Sequence, residues 1–233
     1  MASSERYLVT GAYGCIGAWV IRELLDQRAF VAAFDVAGDS PRLSLIVDEP
    51  QRQHLVRVQG DITDLGAVER AIDENSITRV IHLAALQVPF CRANPPAGAA
   101  VNVVGTANLL AACRVSAVPR IVYASSSSVY GPAAGRPSAP GDPLCHVESV
   151  YAATKVAGEV PRRCFKRCLC HSDRGSVNFG RSVIVLRTSL PDTKIRSPIR
   201  SLDIVDKILY KYYFIHSINY LKTYKKSITN VYK

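Results

Sequence analysis

The chain has 233 residues, of which 48% are hydrophobic and 21% are charged. That length and apolar content suit one domain with a buried core plus an appendage, and they exclude disorder throughout. The net charge of +10 is unevenly placed: residues 1–160 hold 13 Lys and Arg against 15 Asp and Glu, whereas residues 161–233 hold 16 against 4. A basic field is therefore a property of the C-terminal third, where a solvated tail explains it, and no nucleic-acid partner is expected. No run of ~18 apolar residues is present, so no transmembrane segment is expected. The N-terminal MASSERYLVTG enters a strand-like run without the basic and apolar regions of a signal peptide. Together with an odd set of seven cysteines, read as reduced thiols, this points to a cytoplasmic chain.

In chain order, short apolar runs rich in β-branched residues fall at Tyr7–Thr10, Phe30–Phe34, Leu55–Val58, Arg79–Leu83 and Arg120–Ala124. Helical spacing occupies 16–28, 64–74 and 97–115 between them, a further helix is expected from about 149, and Val183–Leu186 reads as a sixth strand. Runs apolar on both faces that alternate with helices specify a parallel sheet covered on both sides, an α/β doubly wound domain. After about residue 160 the composition changes: Gly180 is the last glycine, and six of the eleven tyrosines lie at or beyond 210. The expected division is one α/β domain over 1–190 and an atypical basic tail over 191–233, in which apolar residues at 202, 205, 208, 209, 212 and 215 allow one amphipathic helix.

Where the first strand should turn into the first helix stand Gly11, Tyr13, Gly14, Cys15, Ile16 and Gly17, with glycines in G-x-x-G-x-x-G spacing. Glycines there permit a tight turn and bring backbone N–H groups close to an anion at the positive end of a helix. Asp35 ends the second strand, where a carboxylate can accept both hydroxyls of an adenosine ribose and would repel a 2′-phosphate. Tyr151 and Lys155 share one face of the helix expected from 149, and a run of serines, 125–128, follows the fifth strand. A phenol is a poor base at neutral pH unless a nearby cation stabilises its anion, and Lys155 can supply that charge while a serine hydroxyl holds a substrate oxygen. Cys164, Cys168, Cys170 and His171 are four candidate zinc ligands, but their spacing is cramped and no second pair follows, so no metal is expected.

With these motifs in place, residues 6–160 resemble the extended short-chain dehydrogenase/reductase family, specifically its NAD-dependent nucleotide-sugar epimerases and dehydratases. The resemblance implies a Rossmann-type NAD-binding domain and a small-molecule substrate, a nucleotide sugar, with a homodimer left open. It adds Asp61 and Ile62 as adenine-side contacts, Leu83, Ala84 and Ala85 as cofactor lining, and Asn102 as a helix asparagine near the active site. The family's catalytic Ser/Thr lies four residues before the tyrosine of a V-Y-G element, which selects Ser126, with Ser128 as a second substrate contact. The implied chemistry is transient oxidation: Tyr151 takes a hydroxyl proton, Lys155 activates it and binds the nicotinamide ribose, and Ser126 holds the reacting oxygen. Dehydratases of the family carry Asp-Glu directly after the catalytic residue; Ser127 and Ser128 stand there, which disfavours dehydration. Two departures are expected to matter. Pro161 should break or kink the helix that carries Tyr151, and the family's C-terminal substrate lobe is largely missing. A catalytically impaired NAD-binding fragment is therefore the alternative to an active epimerase-like enzyme.

Overall fold

The computed structural model describes residues 5–131, 143–144, 147–168 and 183–186, with backbone alone for 160–168 and 183–186. Six parallel strands form one sheet in the order β3-β2-β1-β4-β5-β6. They are β1 (Arg6–Thr10), β2 (Phe30–Asp35), β3 (Leu55–Gln59), β4 (Arg79–His82), β5 (Arg120–Ala124) and β6 (Val183–Leu186). Central β1 is apolar on both faces and pairs on both edges, Leu8 standing opposite Ala32 on one side and Val80 on the other. This strand order is that of a Rossmann-type doubly wound domain, in which the chain reverses direction across the sheet between β1 and β4.

Two hydrophobic layers cover the sheet. On one face α1 (Cys15–Asp26) buries Val20, Ile21 and Leu24 completely, each such side chain contributing roughly 1.5–3 kcal/mol. The opposite layer gathers Val68, Ala71 and Ile72 of α4 (Leu65–Glu74) with Leu109, Leu110 and Ala112 of α7 (Gly105–Val115). Helix α4 starts where the Asp64 carboxylate accepts from the Ala67 N–H at 3.2 Å, which satisfies one of its first donors.

Three short helices go beyond the expected pattern: α2 (Pro41–Ile46), α3 (Glu49–Arg52) and α5 (Val88–Ala93). The helical stretch expected over 97–115 divides into α6 (Pro95–Ala99), one π-helical turn (Ala100–Val104) and α7. Two expectations need correction. Pro95–Val115 does have the length and mean hydropathy, 1.3, of a membrane-crossing helix; its Leu109, Ala112 and Cys113 are packed against the sheet. Pro161 does not end its helix, because α8 (Val150–Cys168) continues through it for a further turn and more. Tyr151 and Lys155 lie before the proline, upstream of the hydrogen bond that it removes. The tail 191–233 and the side chains of the Cys164–His171 group lie outside the described residues.

Replacing a mid-helix glycine by alanine ordinarily stabilises by ~0.5–1 kcal/mol. At Gly17 the added Cβ would stand 2.4 Å from the Gly11 oxygen and 2.5 Å from the Ala12 oxygen, both backbone atoms. Gly17→Ala should therefore destabilise by roughly 1–3 kcal/mol. Gly66→Ala, whose Cβ would meet only the tips of the Arg70 and Asp64 side chains, should be neutral or stabilising. Denaturant unfolding of the two variants measures the contrast.

Candidate active site

The reversal between β1 and β4 opens a crevice at the carboxyl ends of the strands, the place where doubly wound sheets bind ligands. A cleft of about 560 Å³ lies there. Its floor is the turn from β1 into α1. Gly11 adopts φ +66°, and a Cβ on it would be 2.7 Å from the Ala84 nitrogen, so the loop leans directly on the end of β4. Helix α1 begins at Gly14 with no side-chain cap and no acidic residue in its first turn. Its first N–H groups therefore face the cleft without a competing carboxylate, as an anion site requires.

Asp35 fastens this loop to β2. One carboxylate oxygen accepts from the Tyr13 N–H at 3.0 Å and the other from the Ala37 N–H at 3.1 Å. Each oxygen keeps a second lone pair for a further donor. Tyr13 is itself buried, which raises its phenol pKa.

At the other end of the cleft stand Tyr151 and Lys155. Helix α8 is capped by Ser149, whose hydroxyl accepts from the Ala152 N–H at 3.1 Å, and the i, i+4 spacing puts both residues on one helix face. Lys155 is 3% exposed; its ammonium donates to the Ala124 carbonyl at 2.9 Å and lies 5.8 Å from the centre of the Tyr151 ring. Burial pulls its pKa down to about 8. Burial pushes the Tyr151 phenol up, while a hydrogen bond with Ser126 pulls it the other way. Ser126 Oγ accepts from the Ser128 hydroxyl at 2.9 Å and the Ser128 N–H at 3.2 Å, so its own proton is directed to Tyr151, where it favours the phenolate.

Of the residues expected to hold a cofactor, Gly11, Tyr13, Gly14, Cys15, Ile16, Gly17, Asp35, Asp61, Ile62, Leu83, Ala84, Ala85, Tyr151 and Lys155 all line this one cleft. Asn102 does not. Its amide, at the π-helical turn, accepts from the Leu86 N–H at 2.7 Å and donates to the Leu86 carbonyl and to Thr154 Oγ1, both at 3.0 Å. It ties the loop after β4 to α8 from behind. Ser126 and Ser128 also stand outside the lining, beside Tyr151, and Ser128 is turned onto Ser126. The sequence reading missed Ala124 and Ser125 at the end of β5, Val36 and Ala37 after Asp35, and Leu86 and Gln87 after β4. Their adjacency to strand ends was the available signal.

His82 also has a polar role inside the sheet. Fully enclosed, it meets Thr10 Oγ1 through Nδ1 at 2.6 Å and Thr106 Oγ1 through Nε2 at 3.0 Å. Thr106 donates onward to the Asn102 carbonyl at 2.7 Å, which assigns the ring proton to Nε2. Burial, and secondarily the Lys155 charge, lower the His82 pKa to about 3 from 6.5. The folded chain therefore resists a proton that the unfolded chain accepts, and stability is lost as pH falls from 6.5 toward about 3. His82→Gln should be less stable at neutral pH but show a flatter decline across that window. Unfolding free energies measured at several pH values test this, and an unchanged slope would remove His82 from the role.

The family model described as NAD dependent epimerase/dehydratase matches residues 7–161. Among curated relatives, a probable UDP-glucuronate 4-epimerase of Rhizobium meliloti is 34% identical over 162 residues, 66% of this chain and 47% of its own length. UDP-glucuronate 4-epimerase 2 of Arabidopsis thaliana is 38% identical over 160 residues, 65% of this chain and 36% of its own length. Among solved structures, the UDP-glucose 4-epimerase of Thermus thermophilus in complex with NAD superposes with a TM-score of 0.65 at 30% identity, covering 78% of this chain and 54% of that one. The chain thus spans between 36% and 47% of the length of these two curated relatives. With the family match running from β1 into α8, over more than half of its residues, this chain belongs to the NAD-dependent epimerase/dehydratase family.

Proposed function

We propose that the cleft binds NAD, and that Tyr151, Lys155 and Ser126 serve the transient oxidation of a nucleotide sugar, the chemistry on which epimerisation is built. The observation that carries this reading is the meeting, in one cleft, of the capless α1 terminus, the Asp35 carboxylate and the Tyr151–Lys155 pair. The residues fit the cofactor: Gly11, Gly14 and Gly17 keep the loop free of Cβ atoms where a pyrophosphate must approach backbone N–H groups. When bound, NAD supplies a hydride acceptor.

The chain's own groups do the proton work. Tyr151, once deprotonated, takes the proton of the sugar hydroxyl. Lys155 is protonated below about 8, so at neutral pH its charge is available to favour the phenolate and to hold the nicotinamide ribose. Ser126, whose single proton is directed toward Tyr151, turns it to the reacting oxygen when substrate is present. Ser127 and Ser128 offer no acid/base pair for loss of water, which supports epimerisation over dehydration. The names of the relatives make UDP-glucuronate the first substrate to try. We assign the NAD-binding unit to residues 1–190 and treat 191–233 as a tail outside it.

A second reading, an NAD-binding unit without turnover, is favoured by the family match ending at residue 161. Positioning a substrate can contribute ~7–11 kcal/mol to lowering a barrier, and within the match only Ser126 and Ser128 are assigned to substrate.

NAD should bind more tightly than NADP, and Asp35→Asn should weaken NAD about tenfold or more, since a charge-assisted hydrogen bond is worth ~1.5–3 kcal/mol. Titration of both cofactors measures this; equal wild-type affinities would remove Asp35 from selection. Tyr151→Phe should leave NAD affinity nearly intact and abolish conversion of UDP-glucuronate, whereas Lys155→Met should impair both. Wild-type NAD binding with no conversion selects the second reading.

A further inference from the structure

Three consecutive residues at the end of β5 are bonded to one face of α8. Lys155 Nζ donates to the Ala124 carbonyl at 2.9 Å, Ser125 Oγ donates to Glu159 Oε1 at 2.5 Å, and Ser126 is hydrogen-bonded to Tyr151. Positions 151, 155 and 159 are successive turns of the same helix face. Glu159 is 7% exposed and does not line the cleft, and its partner Ser125 is 4% exposed. A buried carboxyl is stabilised only where its hydrogen bonds are made, so this bond has a strong preference for one geometry.

The Tyr151 and Lys155 contacts lie one turn apart on α8, and Asn102 also holds Thr154 of this helix at 3.0 Å. The Ser125–Glu159 contact, one turn beyond Lys155 on the same face, resists lifting of that face away from the end of β5. We propose that Ser125 and Glu159 form a positioning clasp that seats this face of α8 against the end of β5, and thereby presents the Lys155 ammonium and the Tyr151 hydroxyl to it. Glu159 is a positioning residue and touches neither cofactor nor substrate. The clasp gains its purpose from the roles assigned above to Tyr151 and Lys155, but its geometry is independent of any ligand.

The test follows Lys155 itself in the full chain, by NMR of lysine side-chain nitrogens with Lys155→Met identifying the signal. Wild type should titrate near 8. Ser125→Ala, which changes no charge, should move the midpoint up toward the ordinary lysine range, because an ammonium no longer held at Ala124 turns to water. Glu159→Leu should move it the same way, and Glu159→Gln, which keeps an acceptor for Ser125, should restore the wild-type value. His82, Tyr123, Cys91 and Tyr151, the other groups facing Lys155, are the same in every variant.

An unmoved midpoint in Ser125→Ala overturns the clasp, as does a downward shift in Glu159→Leu. Glu159→Gln behaving like Glu159→Leu overturns it too. Should Glu159→Leu fail to fold, the Ser125→Ala and Glu159→Gln pair decides. NAD titration of the same proteins separates the two readings: a wild type that binds no NAD refutes the cofactor assignment, while the lysine titration still judges the clasp.

Discussion

At the carboxyl edge of the sheet, the backbone of Gly11 lies so near the end of β4 that a methyl group would stand 2.7 Å from the Ala84 nitrogen. The floor of the cleft takes its place from that approach. Because β1 is central and its connections leave in opposite directions, a crevice opens between the loops after β1 and β4, and the absence of a side chain at Gly11 lets the two meet at its floor. The same loop is pinned laterally by Asp35 through the Tyr13 N–H, so its amides are aimed before any anion arrives. Preorganised donors of this kind need little rearrangement on binding.

The polar interior links this loop to the helix of Tyr151. The Ala84 N–H reaches Thr10 Oγ1, Thr10 meets His82, His82 meets Thr106, and Thr106 donates to the Asn102 carbonyl. From Asn102 the side chain continues to Leu86 and to Thr154 of α8. Such a chain rigidifies only if all its members are satisfied. A neutral imidazole allows it; a second buried cation beside Lys155 would not. The low basicity of His82 is in this sense a condition for burying Lys155 close by.

Much of the frame was legible in the sequence for a simple reason. Parallel strands between two helical layers leave continuous apolar, β-branched runs in the sequence, and residues such as Tyr7–Thr10 and Val183–Leu186 mark all six strands described. The short helices α2 and α3 were not legible, because their signals are a capping Ser40 or Asp48 and a proline, with too few residues to show a period. Pro161 marks a helix end by residue type, yet α8 runs past it. In the site, the glycine loop, Asp35, Tyr151 and Lys155 are legible by motif, whereas lining positions such as Val36 and Gln87 belong to none. Those that act through backbone atoms, such as the Ala124 carbonyl that holds Lys155, leave no mark in residue type. Glu159 did leave one, four residues after Lys155, but a lone glutamate on a helix reads as solvated until it is seen inside.

The π-helical turn at Ala100–Val104 places one stretch of chain under two demands. Upstream of it, α6 must end where Asn102 can face Leu86 and Thr154; downstream, α7 must turn Leu109 and Ala112 toward the sheet. A π turn accommodates one residue beyond the α-helical count, and each residue of an α-helix corresponds to a rotation of ~100°. Loss of a single residue here would thus act as a rotation more than as a shortening, since one end could keep its partners only by swinging the other off its own. The number of residues between Asn102 and Leu109 is accordingly a constraint in its own right, one that substitutions can leave untouched while an insertion or deletion of one cannot.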